Sequence, residues 1–334
     1  MSEDNDYTPS SYYAGHDFKS VRASYDASAG RSYDDAKKKG KSNSDLLPES
    51  LTTNSTHPLV IELDSTGSML DWPGVMVGKM GYMDHELRTQ YLSEDMEISF
   101  TLHDDEGSGM DYYVQARPFA KGEDIVKRAK ELVQTGSGGG RTHMCESSEL
   151  PMLYYARRVT FPKAVIKPVY IIITDEMPYP SISPDSASYV HVKLKSEIST
   201  ADVMKELQDK YSVYLIQKPY YNDKDERSLD TQTVRKEWLK YLDADRIAIL
   251  PEAERVVDVI FGILAAEADK VEYFQKEIED RQKPGQVATV YKALKTIHAL
   301  SADASNKKSG GKSRMKGLGA GKKTKKLTTG KDEE

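Results

Sequence analysis

The chain has 334 residues, of which 38% are hydrophobic and 30% are charged, and its formal net charge is −6. We expect one large domain with unfolded flanks from this composition. The single cysteine, Cys145, excludes an intramolecular disulfide and a zinc site built from thiolates, which indicates an intracellular protein. The first residues have no signal-peptide pattern, and no apolar run approaches the roughly 20 residues of a membrane span. We therefore expect a cytoplasmic protein without a membrane segment.

Both flanks have the composition of disordered chain. Residues 1–50 are rich in Ser, Tyr, Asp, Lys and Gly and have no helical or strand periodicity, so we predict a disordered segment, with a tyrosine-based partner motif as the alternative. Residues 301–334 contain ten Lys or Arg and four Asp or Glu, a charge of +6, which leaves −12 on the rest of the chain. We predict that this basic tail is disordered as well.

Between the flanks, strand-like and helix-like segments alternate. Runs of β-branched and aromatic residues predict strands at 58–63, 96–103, 111–119, 167–174, 211–217 and 246–250. Helical patterns lie near 73–91, 122–134, 146–158, 200–210 and 231–242. The apolar character is nearly continuous in the first strand and at 169–173 of the fourth, which is typical of strands buried on both faces of a parallel sheet. The second and third strands are joined by a short turn-like segment, so they are expected to pair antiparallel at one edge.

The sequence therefore predicts an α/β fold, doubly wound, with a mostly parallel sheet, one antiparallel edge strand and helices on both faces. We expect the main domain at 57–265 and a helical extension at 266–300. A single helix is predicted at 252–282, with an apolar first half and a charged second half that leaves the domain. A further helix at 286–300 has an apolar stripe that is expected to fold back onto the domain.

Polar side chains follow two of the predicted central strands. The stretch HPLVIELDSTGSM places Asp64 at the end of the first strand and Thr66 and Ser68 at alternate positions after it, and Asp175 follows the fourth strand. Ligands of doubly wound sheets bind beyond these strand ends. Carboxylate and hydroxyl oxygens are the ligands of hard cations such as Mg²⁺, Mn²⁺ or Ca²⁺. The alternative interpretation of the first motif is a turn that caps the next helix.

The DSTGSM motif resembles the Asp-x-Ser/Thr-x-Ser signature of von Willebrand factor A-type domains, in a prokaryote- or phage-like intracellular variant with Thr in the second slot and Met after the last Ser. The resemblance covers about residues 57–265 and includes a glycine-rich loop, TGSGGGRTHMCE at 135–146, and an aspartate after a central strand. It implies a metal-ion-dependent adhesion site. In such a site Thr66 and Ser68 are direct ligands, and Asp64 and Asp175 act directly or through water. The loop ligand is Thr142, with Ser137 or Glu146 as alternatives.

The resemblance implies a binding protein and not an enzyme. The bound cation would keep one position open for a carboxylate of a partner protein, and many intracellular members of the family work with ring-shaped AAA+ ATPases. An alternative in a different class is non-specific association with nucleic acid through the basic tail. A third class, a Mg²⁺-dependent hydrolase, would depend on Glu176 as the base.

Deleting residues 301–334 tests the nucleic-acid alternative. If the tail binds phosphate groups, the truncated protein should associate more weakly with a labelled duplex, and binding by the full chain should fall steeply between about 50 and 200 mM salt as counterions are no longer released favourably. Fluorescence anisotropy of both proteins across this range is the measurement. Equal signals from the two proteins would exclude the tail as a nucleic-acid binding segment.

Overall fold

The computed structural model describes residues 43–69, 71–109, 111–133, 144–221 and 226–306. A six-stranded sheet forms the centre. Its strands are β2 Pro58–Asp64, β3 Glu97–His103, β4 Val114–Ala116, β7 Val169–Thr174, β11 Ser212–Gln217 and β12 Ile247–Ile249. Across the sheet they lie in the order β12-β11-β7-β2-β3-β4. All neighbours are parallel except β3 and β4, which pair antiparallel at the edge. The predicted fold class, including its antiparallel edge strand, is confirmed.

Short two-residue strands pair outside this sheet. They are β1 Leu51–Thr52 with β6 Val159–Thr160, β5 Cys145–Glu146 with β8 Met177–Pro178, and β9 Ser181–Ile182 with β10 Ile198–Ser199. The helices are α1 Asn43–Leu46, α2 Asp71–Glu86, α3 Glu123–Glu131, α4 Glu149–Arg158, α5 Pro184–Tyr189, α6 Thr200–Lys210, α7 Leu229–Trp238, α8 Val256–Glu267, α9 Val271–Arg281 and α10 Pro284–Asn306. Within the described ranges, no helix has both the length and the apolar character needed to cross a bilayer.

The central strands are buried on both faces because helices cover each side of the sheet. Successive side chains of a strand point to opposite faces, and here they enter two separate cores. Ile61 and Ile171 pack with α2, α3, α8, α9 and α10 on one face. Val60 and Ile172 pack with α4, α5, α6 and α7 on the other. This arrangement explains why the first and fourth predicted strands are apolar at nearly every position.

The C-terminal helices differ from the prediction of one helix at 252–282. The chain breaks after α8, where Asp269 has a left-handed backbone with φ of 56°, and it continues as α9. The charged second half was predicted to leave the domain, but it packs against it. Phe274 and Ile278 are fully buried, and Arg281 donates to Asp258 of α8 at 2.7 Å. Its charged residues face solvent or form such pairs, while its apolar stripe joins the core.

Helix α10 folds back onto the domain, in agreement with the apolar stripe. Val290, Leu294 and Ile297 are fully buried and belong to the same core as α8. The helix also extends to Asn306, beyond the limit predicted at residue 300. At the other end of the chain, the segment predicted to be disordered extends to residue 50, whereas the structure describes α1 at Asn43–Leu46 and buried side chains at Leu46 and Leu47. Residues 1–42 and 307–334 lie outside the described residues.

Replacing Leu294 by alanine tests whether α10 is part of the domain core. The side chain is fully buried against α8, where the Leu294 methyl groups fill the space beside Gly262. We expect Leu294→Ala to lower the free energy of unfolding by about 2 to 5 kcal/mol, because it removes buried methyl groups and leaves a cavity. Chemical denaturation followed by circular dichroism measures this change. Leu229→Ala, at a side chain with 82% exposure, is the matched control and should change stability by no more than about 0.5 kcal/mol.

Candidate metal centre

The strand order places the candidate site at the carboxyl ends of the two central strands, β2 and β7. The chain proceeds from β2 to β3 on one side and later returns to pair β7 with the other side of β2. A crevice forms at such a reversal, outside the carboxyl ends of the two strands. Asp64 is the last residue of β2, and Thr174 is the last residue of β7, directly before Asp175. Parallel pairing therefore brings together two aspartates that are separated by more than a hundred residues in the chain.

The turn after β2 is organised by Asp64 itself. The backbone N–H and the hydroxyl of Thr66 both donate to Oδ1 of Asp64, at 2.8 and 2.7 Å, and Thr174 donates its hydroxyl to Oδ2 at 2.9 Å. Asp64 is fully buried. The two Thr66 contacts form a turn, as expected if the motif only caps the next helix. The hydrogen bond from Thr174, however, comes from the neighbouring strand β7. The motif is therefore part of a contact between strands and not only a local cap.

Asp175 closes the other side of the site. Its Oδ1 accepts a hydrogen bond from the Ser68 hydroxyl at 2.8 Å, and the Ser68 oxygen lies 3.4 Å from that of Thr66. Its Oδ2 accepts from the Lys218 ammonium at 2.9 Å and from the backbone N–H of Tyr221 at 2.7 Å. The four predicted residues after β2 and β7 thus form one continuous chain of contacts. The segment that follows β11 holds the far oxygen of Asp175.

Two further side chains approach Asp64 from other elements. Ligand-type atoms of Asp64, His103 and Glu146 lie within 4.8 Å of one another, and all three residues are buried. His103 is the last residue of β3 and pairs in register with Asp64, while Glu146 lies in the short strand β5. One carboxylate oxygen of Glu146 is buried without a hydrogen-bond partner. A buried carboxylate oxygen of this kind needs a cation or a proton to offset its desolvation.

His103 is held beneath the site by charge on both sides. Its Nδ1 lies 2.8 Å from Oε1 of Glu62, and its Nε2 lies 4.0 Å from Oδ2 of Asp64. Tyr170 donates its hydroxyl to the other oxygen of Glu62 at 2.5 Å. Burial opposes a charge on His103, but the contact with Glu62 and the charges of Glu62 and Asp64 raise its pKa to about 8. The raised pKa favours the imidazolium form of His103, which offsets the negative charge of Glu62 and Asp64.

The site holds more negative charge than its neighbours compensate. Burial, followed by the charge of Asp64, raises the pKa of Asp175 and raises that of Glu146 well above its usual range. Burial and the charge of Asp175 raise the pKa of Glu176 to about 8. Burial also acts to raise the pKa of Asp64, but contacts with Glu146, His103 and Thr66 outweigh it and lower that pKa. The raised pKa values of Asp175, Glu146 and Glu176 favour the protonated form of these groups more than in a free carboxyl group.

This donor set fits a hard divalent cation. Two ligands at right angles on Mg²⁺, each about 2.1 Å away, are about 3 Å apart, and the Thr66 and Ser68 oxygens are 3.4 Å apart. Asp64 and Asp175 lie on either side of them. One oxygen of Glu146 has no hydrogen-bond partner, and the pKa of this carboxyl group is raised. Both observations are expected when nearby positive charge does not balance a group of carboxylates. Thr66 and Ser68 would hold the ion, with Asp64, Asp175 and Glu146 as carboxylate ligands or partners of bound water.

The structure places four of the five predicted site residues together: Asp64, Thr66, Ser68 and Asp175. The fifth, Thr142, lies outside the described residues, as does the alternative Ser137. The other alternative, Glu146, does approach Asp64. It lies in β5 and not on the following helix, because α4 begins only at Glu149.

Sequence reasoning did not identify His103, Glu62, Thr174 or Lys218. A signal existed for the first two, because Glu62 interrupts an otherwise apolar buried strand and His103 ends the strand that neighbours it. Thr174 directly precedes Asp175 and could have been included as a strand-end hydroxyl. Lys218 follows β11, and only the position of that strand next to β7 shows that its ammonium reaches Asp175.

The geometry defines a class of protein: a doubly wound α/β domain with a site of acidic and hydroxyl side chains at the point where its strand order reverses. Neither the known protein-family models nor the curated protein sequences include a match to this chain.

Solved structures similar to the chain include the pilus adhesin SpaC from Lactobacillus rhamnosus GG in its open conformation. The TM-score is 0.46 at 12% identity, over 67% of this chain and 31% of the adhesin. Proximal thread matrix protein 1 from the mussel byssus gives a TM-score of 0.43 at 10% identity, over 65% of this chain and 49% of that protein. The chain thus spans about a third of the adhesin's length and about half that of the matrix protein.

The raised pKa of Glu176 predicts how stability depends on pH when divalent ions are removed with EDTA. Between the pKa of an unfolded glutamate, about 4.3, and the folded value of about 8, the folded protein binds a proton that the unfolded chain has lost. The contribution of Glu176 to stability is therefore lost as pH rises towards and through about 8, by at most about 1.4 kcal/mol per pH unit.

The Glu176→Gln variant isolates this contribution, because glutamine does not titrate. The wild-type free energy of unfolding should fall relative to that of Glu176→Gln from about pH 5 to pH 8. Chemical denaturation at a series of pH values measures the difference. Parallel pH profiles of the two proteins would show that Glu176 has an ordinary pKa.

Proposed function

We propose that the chain is a von Willebrand factor A-type interaction module that binds an acidic residue of a partner protein through a divalent cation. The observation that carries the proposal is the pair of hydroxyls of Thr66 and Ser68 held between the buried carboxylates of Asp64 and Asp175. When bound, the cation would supply a Lewis-acidic position to which a carboxylate from another protein can bind.

The charge of the site supports a cation in particular. Removing Asp64, Asp175 and Glu146 from water is costly unless positive charge lies nearby. His103 and Lys218 supply positive charge from beneath and from one side, yet the pKa values of Asp175 and Glu146 remain raised. A divalent ion at the two hydroxyls would offset the remaining negative charge.

The outer side of the site is accessible to a partner. Gly67 is exposed and Ser68 is half-buried, whereas Asp64 and Thr66 are buried beneath them. Tyr221, whose backbone N–H contacts Asp175, has 59% of its surface exposed. A partner carboxylate would therefore approach over Gly67 and Ser68, with the Lys218 ammonium and an exposed aromatic ring beside it. This combination favours a protein ligand that has an acidic residue next to an apolar one.

Calorimetric titration with Mg²⁺ and Mn²⁺ tests the metal site. We expect one ion per chain, a loss of binding in Asp64→Ala, and an affinity at least about tenfold lower in Ser68→Ala, because a hydrogen-bonding or coordinating group of a charged site contributes about 1.5 to 3 kcal/mol. Thr233→Ala removes an exposed hydroxyl on α7 and is the control that should bind as wild type does. Unchanged binding in both site variants would exclude this site.

Partner capture tests the interaction itself. Wild-type protein should retain a partner in the presence of Mg²⁺ and release it with EDTA, and Ser68→Ala should retain less of it, with the fold checked by circular dichroism. A ring-shaped AAA+ ATPase is the first partner class to test, because the family resemblance implies it. A partner that binds equally well with EDTA and to Ser68→Ala would contact another surface.

A further inference from the structure

A basic cavity lies on the helical layer that contains α4 and α5, away from the metal site. It is open to solvent, and its volume of about 620 Å³ is in the size range of small-molecule sites. Its lining comprises Glu49, Arg157, Arg158, Ser188, His191, Val192 and Lys193. Three of these side chains carry a permanent positive charge, and one is acidic. The rest of the chain up to residue 300 is acidic overall, so this cavity is a local exception in charge.

The guanidinium of Arg158 is oriented but not saturated. Its Nε donates to the backbone carbonyl of Glu49 at 2.7 Å, which fixes the plane of the group. Within the described part of the chain its two terminal nitrogens have no partner, and neither has the ammonium of Lys193. Arg157 differs, because both of its bonds go to the carboxylate of Glu206, at 2.8 Å each. Arg158 and Lys193 are therefore the groups with free donors.

The imidazole of His191 is also fixed in place. Its Nε2 lies 3.0 Å from the backbone carbonyl of Leu47, so Nε2 donates and the other ring nitrogen is directed elsewhere. The segment that contains Leu47 and Glu49 thus contacts the cavity through two backbone carbonyls. Packing of this segment, with Leu47 fully buried, holds one wall of the cavity.

Arg158 is not needed to neutralise the end of its own helix. The last carbonyls of a helix attract cations, and here Lys210 fills that role for α4. The Lys210 ammonium donates hydrogen bonds to the carbonyls of Tyr155 and Ala156, at 3.0 Å each, and to the carbonyl of Val159. The positive charge of Arg158 consequently remains available to a ligand in the cavity.

We propose that this cavity binds the phosphate group of a small phosphate monoester. A guanidinium with two free terminal nitrogens matches two oxygens of one phosphate, and an ammonium adds charge without a fixed geometry. The cavity is much larger than a phosphate ion, so the remaining volume beside Val192 accommodates the organic part of the ester. The site is independent of the metal centre, because α4 has ten residues and extends about 14 Å from Glu149 near His103 to Arg158.

Calorimetry with the full chain in EDTA tests this site with inorganic phosphate, glycerol 3-phosphate, AMP and, as a carboxylate dianion, succinate. We expect saturable binding of one phosphate monoester per chain, tighter than inorganic phosphate and tighter than succinate. Arg158→Gln should weaken this binding at least about tenfold, because it removes charge-assisted hydrogen bonds. Lys193→Gln should weaken it about threefold or more, and this exposed side chain can be replaced without loss of a protein contact.

Two controls separate this site from others. Lys195→Gln removes an exposed charge two residues from Lys193 but outside the cavity lining, and it should bind as wild type does. Asp64→Ala should also bind the monoester normally, since it alters only the metal centre. The proposal is overturned if no monoester binds, if succinate binds as tightly, or if Arg158→Gln and Lys193→Gln bind as wild type does.

Discussion

The structure depends on the register in which β2 pairs with the strands on either side of it. In that register Asp64 lies beside His103 of β3 and accepts a hydrogen bond from Thr174 at the end of β7. Shifting a strand by one residue turns its side chains to the opposite face. Such a shift would move Ile61 out of its core and Asp64 away from the crevice at once. The packing of the two apolar layers therefore also determines the geometry of the polar site.

Buried negative charge is the cost of that arrangement, and several elements offset it. His103 lies below Asp64 and is itself held by Glu62 and Tyr170, while Lys218 reaches Asp175 from the segment after β11. These residues come from four different strands or the segments that follow them. Gly67 and Ser68 on the outer side of the site remain at least partly exposed. The residues that offset the buried charge thus differ from the residues that are exposed at the site.

The two helical layers have different roles around this sheet. The layer with α8, α9 and α10 is closed by internal pairs such as Arg281 with Asp258, and it extends the apolar core well beyond the predicted domain limit. The other layer contains α4, which begins beside the candidate metal centre at Glu149 and ends at the basic cavity with Arg158. One rigid helix thus connects an acidic site and a basic one. Each site has its own charge and its own wall, and neither shares a lining residue with the other.

The sequence by itself determined the order of the six strands of the central sheet along the chain, because nearly continuous apolar runs such as 58–63 and 169–173 are typical of strands buried between two helical layers. It also identified Asp64, Thr66, Ser68 and Asp175, because strand ends meet at one edge of a parallel sheet whatever the details of packing. Only the tertiary structure decided that α9 packs back through Phe274, that Glu146 and His103 approach Asp64, and that Lys218 pairs with Asp175. These contacts join residues far apart in the chain. Their formation depends on which strands are neighbours and on how buried charges are compensated, and neither is encoded in local periodicity.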